Sequence, residues 1–178
     1  MRKIIVALAG MLALIAGLGG QAQAHGPSRL KTDQSVTLNA SAADVWAAIG
    51  SFQQMDWLPG VAKIEATGNE KGATRTRTLA DGTVVQEELL KLDPAKMAIS
   101  VRLTEDNLTY VKATNYALHL TVKEEGGKAV VDLKGAFYRA YPQNDPPADQ
   151  DDAASTASVE ALHQGLIDAL VARFGAGG

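Results

Sequence analysis

The fold is decided by residues 151–174, DDAASTASVEALHQGLIDALVARF. The apolar side chains of this stretch recur at the spacing of one helix face, which predicts an amphipathic α-helix. They are Val159, Leu162, Leu166, Ile167, Leu170, Val171 and Phe174. Asp151 and Asp152 stand where carboxylates stabilise the positive end of a helix, and Gly175 follows as a C-cap glycine would. At about 1.5 Å per residue the helix would span roughly 36 Å, so its apolar face requires a large partner surface.

The chain before this helix is rich in strand signals. Alternating residues predict a strand at 34–39, and Ser41 with Asp44 has the spacing of a capping box for a short helix that ends at Gly50. A second short helix is predicted at 52–55. Six later strands are predicted at residues 61–67, 74–79, 84–92, 97–103, 110–123 and 129–141. We therefore predict an α+β fold, in which a curved antiparallel sheet of about seven strands wraps around the long C-terminal helix, with two short helices after the first strand. Such a fold leaves a cavity between helix and sheet.

The N-terminal sequence has the features of a secretory signal. Arg2 and Lys3 precede an apolar run at residues 4–18, and Ala-Gln-Ala at 22–24 is a small-x-small cleavage signature. The run is too short to favour a membrane span, although a retained N-terminal anchor is the alternative. We expect a signal peptide at 1–24, a mobile arm at 25–31 and a single soluble domain at 32–178.

Composition argues against several classes of function. Without Arg2 and Lys3 the chain keeps 15 of its 17 basic residues against 20 acidic ones, a net charge of −5, which argues against nucleic-acid binding. The absence of cysteine excludes thiolate catalysis, Cys-ligated zinc, iron–sulfur clusters and thioether haem attachment. His25, His119 and His163 show no short metal-ligand spacing. A new N-terminal His25 would offer an amine and an imidazole to copper, but we predict no metal site and no cofactor, and we expect His119 to face solvent.

Residues near the expected cavity form the first group of site candidates. Arg75 and Arg77 share one face of a strand that ends in the hairpin signal Asp81-Gly82. Facing inward they would hold an anionic head group; facing outward, the orientation that we favour, they would be solvated edge charges. His163 lies beside the apolar stripe of the helix, where a structural role is the alternative to a cavity role. Gly165 costs about 1 kcal/mol relative to Ala, which close approach of a strand or ligand, or simple tolerance, would explain. The cavity candidates are Trp57, Arg75, Arg77, Tyr116, His163 and Gly165.

The sequence carries no established catalytic motif. It has no Ser-His-Asp order, Gly-rich phosphate loop or metal-binding helix motif. Glu87 and Glu88 are neighbours on a strand and point to opposite faces, so they do not form a carboxylate pair. Asp56, beside Trp57 at the expected cavity mouth, is more simply a loop cap than a general base. We therefore assign no catalytic residue and favour a binding module over an enzyme.

The second group of candidates lies just before the helix, at residues 137–147, FYRAYPQNDPP. Aromatic residues beside an arginine and a long Pro-Asn-Asp loop are typical of a recognition surface. The alternative is a strand end with a stiff connector. The partner-surface candidates are Phe137, Tyr138, Arg139, Tyr141, Asn144 and Asp145.

The order of elements resembles the helix-grip superfamily of START lipid-transfer domains, polyketide cyclases and the birch-pollen allergen, often labelled SRPBCC. Residues 36–40, VTLNA, and 44–46, DVW, are similar to the opening strand, turn and helix of that superfamily, and 57–61, WLPGV, resembles its tryptophan–proline loop. Many members have His between that Trp and Pro, where this chain has Leu58, so no role of that histidine is carried over.

Within the superfamily the chain is most similar to the MxaD type of bacterial methanol oxidation. The similar motifs are HGP at 25–27, LADG at 79–82, TNY at 114–116, FYR at 137–139, NDPP at 144–147 and DDAA at 151–154. The resemblance implies a periplasmic, non-catalytic accessory protein without a cofactor, which assists an alcohol (methanol) dehydrogenase and its cytochrome c electron acceptor.

Two other functions stay open. One is a carrier for a small apolar ligand in the helix-grip cavity. The other is a polyketide cyclase/dehydrase-like or hydratase-like enzyme, with His163, Asp56 and Tyr116 as acid or base candidates. In each case we expect no nucleic-acid partner and, after signal cleavage, no association with a membrane.

Overall fold

The computed structural model describes residues 26–54, 57–58 and 60–178. The predicted signal peptide at 1–24, His25 and Asp56 lie outside the described residues. The elements are, in chain order, β1 (Leu30–Leu38), α1 (Ala42–Ile49), β2 (Val61–Ala66), β3 (Thr74–Leu79), β4 (Val84–Asp93), a 3₁₀ turn (Pro94–Lys96), β5 (Ala98–Leu103), β6 (Ala113–Glu125), β7 (Lys128–Arg139) and α2 (Asp152–Phe174). In this part of the chain neither helix combines the length and the apolar character that crossing a membrane requires.

The strands of the described chain form one antiparallel sheet of seven strands. Their order is β1-β7-β6-β5-β4-β3-β2, so β2 to β7 run as a meander and β1 returns to pair with β7. Register shifts interrupt the pairing of β2, β4 and β6, and in β6 the irregularity lies next to Asn115, whose φ is 51°. Such bulges bend a strand and increase its twist, which allows the sheet to curve around a helix. The predicted curved sheet around the C-terminal helix is confirmed.

The C-terminal helix α2 begins and ends as its sequence predicts. The Asp151 carboxylate accepts a hydrogen bond from the N–H of Ala154 at 2.8 Å, and Gly175, with φ 78°, is the C-cap. The helix packs against β1, β6 and β7. Burial of each large apolar side chain in this contact contributes about 1.5–3 kcal/mol. The buried residues of α2 are Ser155, Val159, His163, Leu166, Ile167 and Leu170.

The apolar core divides into two clusters along α2. Val159, near the start of the helix, packs in a cluster with Phe137 of β7. Leu166 and Leu170, farther along, pack in a larger cluster with Leu133 of β7 and with the buried side of α1. The two clusters support α2 at both ends, and the cavity described below is lined by residues from both.

The first strand is longer than its sequence pattern predicts. Leu30 and Lys31, which fall in the predicted arm, pair with Phe137 and Ala136 of β7. Backbone pairing with a long neighbouring strand extends β1 beyond the alternating segment, because a ladder hydrogen bond requires no particular side chain. The part of the arm that precedes the strand is therefore shorter than 25–31.

One short helix follows β1 in the described residues, where two are predicted. Ser41 caps α1 by accepting a hydrogen bond from the N–H of Asp44 at 3.1 Å, as the capping-box spacing predicts. The predicted second helix is replaced at 52–54 by a bend. There the side-chain carbonyl of Asn69 accepts hydrogen bonds from the N–H groups of Phe52 at 2.7 Å and Gln53 at 3.3 Å. These bonds anchor the segment to the β2–β3 turn.

Candidate functional site

A small cavity lies between the sheet and α2. Its volume is about 40 Å³, enough for roughly three water molecules and far less than a benzene-sized cavity of about 150 Å³. Most of its wall is apolar, and the exceptions are Ser51, one cluster of charged side chains and two tyrosines. The lining residues are Ile49, Ser51, Trp57, Leu58, Arg75, Arg77, Glu87, Ile99, Val101, Tyr110, Tyr116, Leu118, Leu120, Leu162 and Leu166.

A second space adjoins this cavity on the side of α2. Its volume is about 180 Å³, and we call it the rim space. Leu79 of β3 and Ala161 and Gly165 of α2 line the rim space but not the cavity. The two spaces are neighbours because five residues line both, namely Leu58, Arg77, Tyr110, Leu162 and Leu166.

The charged side chains of the cavity wall form one ion cluster, which consists of Arg75, Arg77 and Glu87. Arg75 lies directly opposite Glu87 in the β3–β4 ladder, and Arg77 reaches the same carboxylate from two residues along the strand. Nη2 of Arg75 is 2.6 Å from Oε2 of Glu87, and Nη2 of Arg77 is 2.8 Å from Oε1. Nε of each arginine also donates to Oε2, at 2.8 and 2.9 Å. Glu87 therefore receives hydrogen bonds from both guanidinium groups at once.

The electrostatics of the cluster keep all three groups charged at neutral pH. Burial raises the pKa of the Glu87 carboxyl, but Arg77 and Arg75 outweigh burial and the pKa lies below its ordinary value. Burial lowers the pKa of Arg75 although Glu87 opposes the change. Burial also lowers the pKa of Arg77, but Glu87 and Tyr110 outweigh it and the pKa is raised. Arginine stays protonated in either case.

Two aromatic residues complete the surroundings of the ion cluster. The Arg75 guanidinium lies 4.2 Å from the ring centroid of Phe52 and donates from Nη1 to the Phe52 carbonyl at 2.8 Å. The Arg77 guanidinium lies 5.3 Å from the ring centroid of Tyr110 and donates from Nη2 to the Tyr110 hydroxyl at 3.0 Å. Tyr110 reaches Arg77 from the turn before β6, because β6 begins at Ala113 and not at the predicted residue 110.

Tyr116, which lines the cavity, and His163, which lies behind it, form a buried pair. The Tyr116 hydroxyl lies 2.8 Å from Nε2 of His163, whose side chain is fully buried. Burial lowers the pKa of His163 to about 4 and raises the pKa of Tyr116 well above its ordinary value, so both are neutral at pH 7. His163 fits here because Gly135 of β7 has no side chain; a Cβ at Gly135 would lie 3.1 Å from Cε1 of His163.

The sequence matches the family described as polyketide cyclase / dehydrase and lipid transport over residues 29–175, which is nearly the whole described chain. The chain belongs to this family. No sequence match is found among curated proteins.

Solved structures with the same architecture confirm the predicted helix-grip fold. An uncharacterised protein from Bacillus thuringiensis is 24% identical, with a TM-score of 0.64 over 79% of this chain and 96% of its own. The protein XoxI from Bacillus cereus is 23% identical, with a TM-score of 0.62 over 80% of this chain and 94% of its own. Norcoclaurine synthase from Thalictrum flavum, in complex with dopamine and hydroxybenzaldehyde, is 17% identical, with a TM-score of 0.57 over 96% of this chain and 94% of its own. At these identities the likeness shows the fold alone.

The structure places the predicted cavity residues in three locations, namely the cavity wall, the layer behind that wall and the rim space. Trp57, Tyr116 and the two arginines line the cavity. The favoured outward orientation of Arg75 and Arg77 is wrong, because their exposed fractions are 2% and 4%. His163 lies behind Tyr116 and is not part of the described wall, and Gly165 lies in the rim space. Apart from the neighbouring backbone of α2 itself, no described atom lies within 4 Å of a Cβ built on Gly165, so close approach of a strand does not explain this glycine.

Some residues of the predicted partner surface are buried. Phe137 is fully buried in the core, so its assignment to a surface does not hold. Arg139 stabilises the following loop through two hydrogen bonds. Its Nε donates to the Tyr141 carbonyl at 2.8 Å, and its Nη2 donates to the Gln143 carbonyl at 2.7 Å. Asn144 and Asp145 are exposed at the tip. Tyr138 and Tyr141 are half-buried, and the Arg29 guanidinium lies 5.6 Å from the Tyr138 ring centroid.

Sequence reasoning missed Glu87 and Tyr110 as site residues. Glu87 had a detectable signal, because it interrupts the apolar residues Val85 and Leu89 on the inward face of β4. Tyr110 had no signal for its contact with Arg77, because the two residues are 33 positions apart in the chain. In the turn, the Asn107 carbonyl oxygens accept hydrogen bonds from the Tyr110 N–H, at 3.0 Å for the backbone oxygen and 3.2 Å for the side chain.

Proposed function

We propose that the protein binds a small, largely apolar ligand between the sheet and α2. The observation that carries this proposal is the cavity with its adjoining rim space, lined by leucines from the loop after α1 and from α2 and interrupted by a single ion cluster. An apolar pocket with a few convergent polar groups is the usual form of a small-molecule site. Membership of a family whose description includes lipid transport supports the same proposal.

The dimensions of the two spaces limit the ligand. The cavity, at about 40 Å³, accommodates a polar head group but not a ring. The rim space, at about 180 Å³, is comparable with the cavity of about 150 Å³ that holds benzene in another protein. A ligand with one six-membered ring and a short polar tail therefore fits with the ring in the rim space and the tail toward the cavity.

The binding experiment uses 3-phenylpropan-1-ol as a neutral probe of this size. The probe is titrated into the ¹⁵N-labelled protein, and the indole N–H resonance of Trp57 reports occupancy because this side chain lines the cavity. We expect saturable shifts in the wild type. Leu162→Phe, which fills the junction of the two spaces, should weaken binding at least tenfold, whereas Leu108→Phe, at an exposed leucine, should not. Absence of saturable binding of any ring-containing probe would refute the proposal.

We propose as a second function that the protein is a periplasmic accessory protein of an alcohol dehydrogenase and its cytochrome c. The similarity to the MxaD type motivates it, and one observation of the structure favours a docking role. The loop after β7 is held in a defined shape by Arg139 and by the Tyr141–Gln150 backbone hydrogen bond of 3.2 Å, while Asn144 and Asp145 stay exposed. A rigid exposed loop loses little conformational entropy on binding a partner.

This second function is tested by affinity capture of the C-terminally tagged protein from the periplasmic fraction of its host. We expect a dehydrogenase or a c-type cytochrome to be recovered, and the recovery to fall at least tenfold in the double variant Asn144→Ala/Asp145→Ala. Val84→Ala, which changes an exposed residue of β4, three strands away from β7 in the sheet order, is the control. Recovery of neither protein, or absence of the chain from the periplasmic fraction, would contradict this function.

A further inference from the structure

The ion cluster carries more positive than negative charge. Among the described residues that line the cavity, Arg75 and Arg77 are opposed by Glu87 alone. Arg75 is engaged by Glu87 and by both the carbonyl and the ring of Phe52. Arg77 lines the cavity and the rim space together, whereas Arg75 and Glu87 line only the cavity. Because Nε and Nη2 of Arg77 donate to Glu87 and Tyr110, the donor of Arg77 that remains for a ligand at the junction of the two spaces is Nη1.

Tyr110 places a hydrogen-bond donor beside this charge. Its hydroxyl oxygen accepts from Nη2 of Arg77 at 3.0 Å, and a phenol that accepts a hydrogen bond can still donate its own proton. Burial raises the pKa of Tyr110, so the hydroxyl keeps that proton at neutral pH. Tyr110, like Arg77, lines both spaces.

We propose that the ligand is an amphipathic carboxylate, whose carboxylate is bound by Arg77 and Tyr110 at the junction while its apolar part fills the rim space. The inference rests on the proposed ligand-binding function and names the ligand class for the same site. A carboxylate supplies one negative charge and planar oxygens, which match one guanidinium and one hydroxyl donor. An amine would add a second unopposed positive charge, and a neutral alcohol would leave the excess charge without a partner.

The experiment compares three probes with the same ring and chain length, namely 3-phenylpropanoate, 3-phenylpropan-1-ol and 3-phenylpropylamine. Each is titrated into the protein at pH 7, and the dissociation constant is taken from the Trp57 indole resonance and, independently, from calorimetry. We expect the acid to bind at least tenfold tighter than the alcohol, because a hydrogen bond between charged groups is stronger than one to a neutral hydroxyl. We expect the amine to bind no tighter than the alcohol.

Two variants test whether Arg77 and Tyr110 cause the preference for the acid. Tyr110→Phe keeps the ring and removes the donor, so the acid should lose about three- to tenfold in affinity while the alcohol changes less than twofold. Arg77→Gln should abolish the preference for the acid. Arg102→Gln is the matched control, because Arg102 pairs with Glu88 at 2.7 Å and neither residue lines the cavity or the rim space. The backbone amide spectrum of each variant establishes that it is folded before the titration, and Tyr110→Phe serves if Arg77→Gln does not fold.

Each outcome decides between the two proposals. Tighter binding of the acid that is lost in Tyr110→Phe and retained in Arg102→Gln supports the carboxylate ligand. Equal binding of acid, alcohol and amine overturns the carboxylate ligand and leaves the proposed ligand-binding function intact. A preference for the acid that survives in Tyr110→Phe and in folded Arg77→Gln also overturns it, because the charge is then recognised elsewhere. If none of the three probes binds, both proposals fail.

Discussion

Gly165→Ala should stabilise the protein, although the residue lies inside the longest helix and beside the candidate site. Gly165 has helical backbone geometry within α2, so alanine introduces no backbone strain. Apart from the neighbouring backbone of α2 itself, no described atom lies within 4 Å of the Cβ that alanine would add. Alanine in a helix interior is favoured over glycine by about 1 kcal/mol, chiefly because glycine loses more backbone entropy on folding.

The free energy of unfolding should therefore rise by about 1 kcal/mol, which corresponds to a Tm increase of about 2–4 °C in a chain of this size. The matched control is Gly135→Ala, at the other glycine close to α2. Its Cβ would lie 2.5 Å from Oγ1 of Thr32, 3.0 Å from Cγ1 of Val159 and 3.1 Å from Cε1 of His163. Overpacking of this kind costs about 1–3 kcal/mol, so the control should change stability in the opposite direction.

Urea unfolding monitored by circular dichroism measures both variants, with an unchanged m-value as the condition for comparing midpoints. The same Gly165→Ala protein is titrated with 3-phenylpropanoate, because the new methyl group projects into the rim space. We expect the gain in stability to be accompanied by at least threefold weaker binding. A loss of stability in Gly165→Ala would refute the reasoning, since it would mean that the space at Gly165 is filled. Unchanged binding would show that the rim space does not hold the ring.

Two further predictions concern buried groups. His163 has a folded-state pKa of about 4, below its unfolded value near 6.5. As the pH falls, the unfolded chain therefore binds a proton at His163 before the folded chain does. The free energy of unfolding should decrease by up to about 3 kcal/mol between pH 6.5 and pH 4. Urea unfolding between these pH values should show this loss in the wild type and in His119→Gln but not in His163→Gln, and a pH-independent wild type would contradict it. Glu87→Gln should destabilise the protein by about 3 kcal/mol, because two buried guanidinium groups lose their anion. The control Glu88→Gln, on the outer face of the sheet, should cost less than about 1 kcal/mol. Equal costs for the two variants would place Glu87 in solvent.

The helices and strands of this fold were predictable where the local sequence preference and the tertiary contacts favour the same structure. Helix α2 has an acidic N-cap, a continuous apolar stripe and a C-cap glycine, so local and tertiary preferences select the same boundaries. β3 is likewise recovered at its predicted residues, because a strong hairpin turn follows it. The start of β1 and the segment at 52–54 were missed because their structure is imposed by distant partners, a neighbouring strand in one case and Asn69 in the other.

The orientation of the two arginines was predictable in principle. A hairpin turn centred on Asp81 places Arg75 opposite Glu87 and Arg77 opposite Val85, which is the register observed. Val85 and Leu89 are inward-facing apolar positions, so the alternation of β4 carries Glu87 and both arginines to the core side. Composition alone favours the outward orientation, since arginine is rarely buried unless it is paired. The strand register identifies that partner as Glu87, whereas composition carries no information about which residues are paired.

The ion cluster is easier to understand as part of a binding site than as a contribution to stability. Replacing a buried ion pair by apolar residues of similar volume is often neutral or stabilising, so folding alone does not require two arginines and a glutamate in this wall. The cluster also leaves a net positive charge among the described lining residues, which a purely structural pair would not. In addition, one of its members, Arg77, together with Tyr110, faces both the cavity and the rim space. Recognition of an anionic group accounts for the charge, the position and the neighbouring donor together.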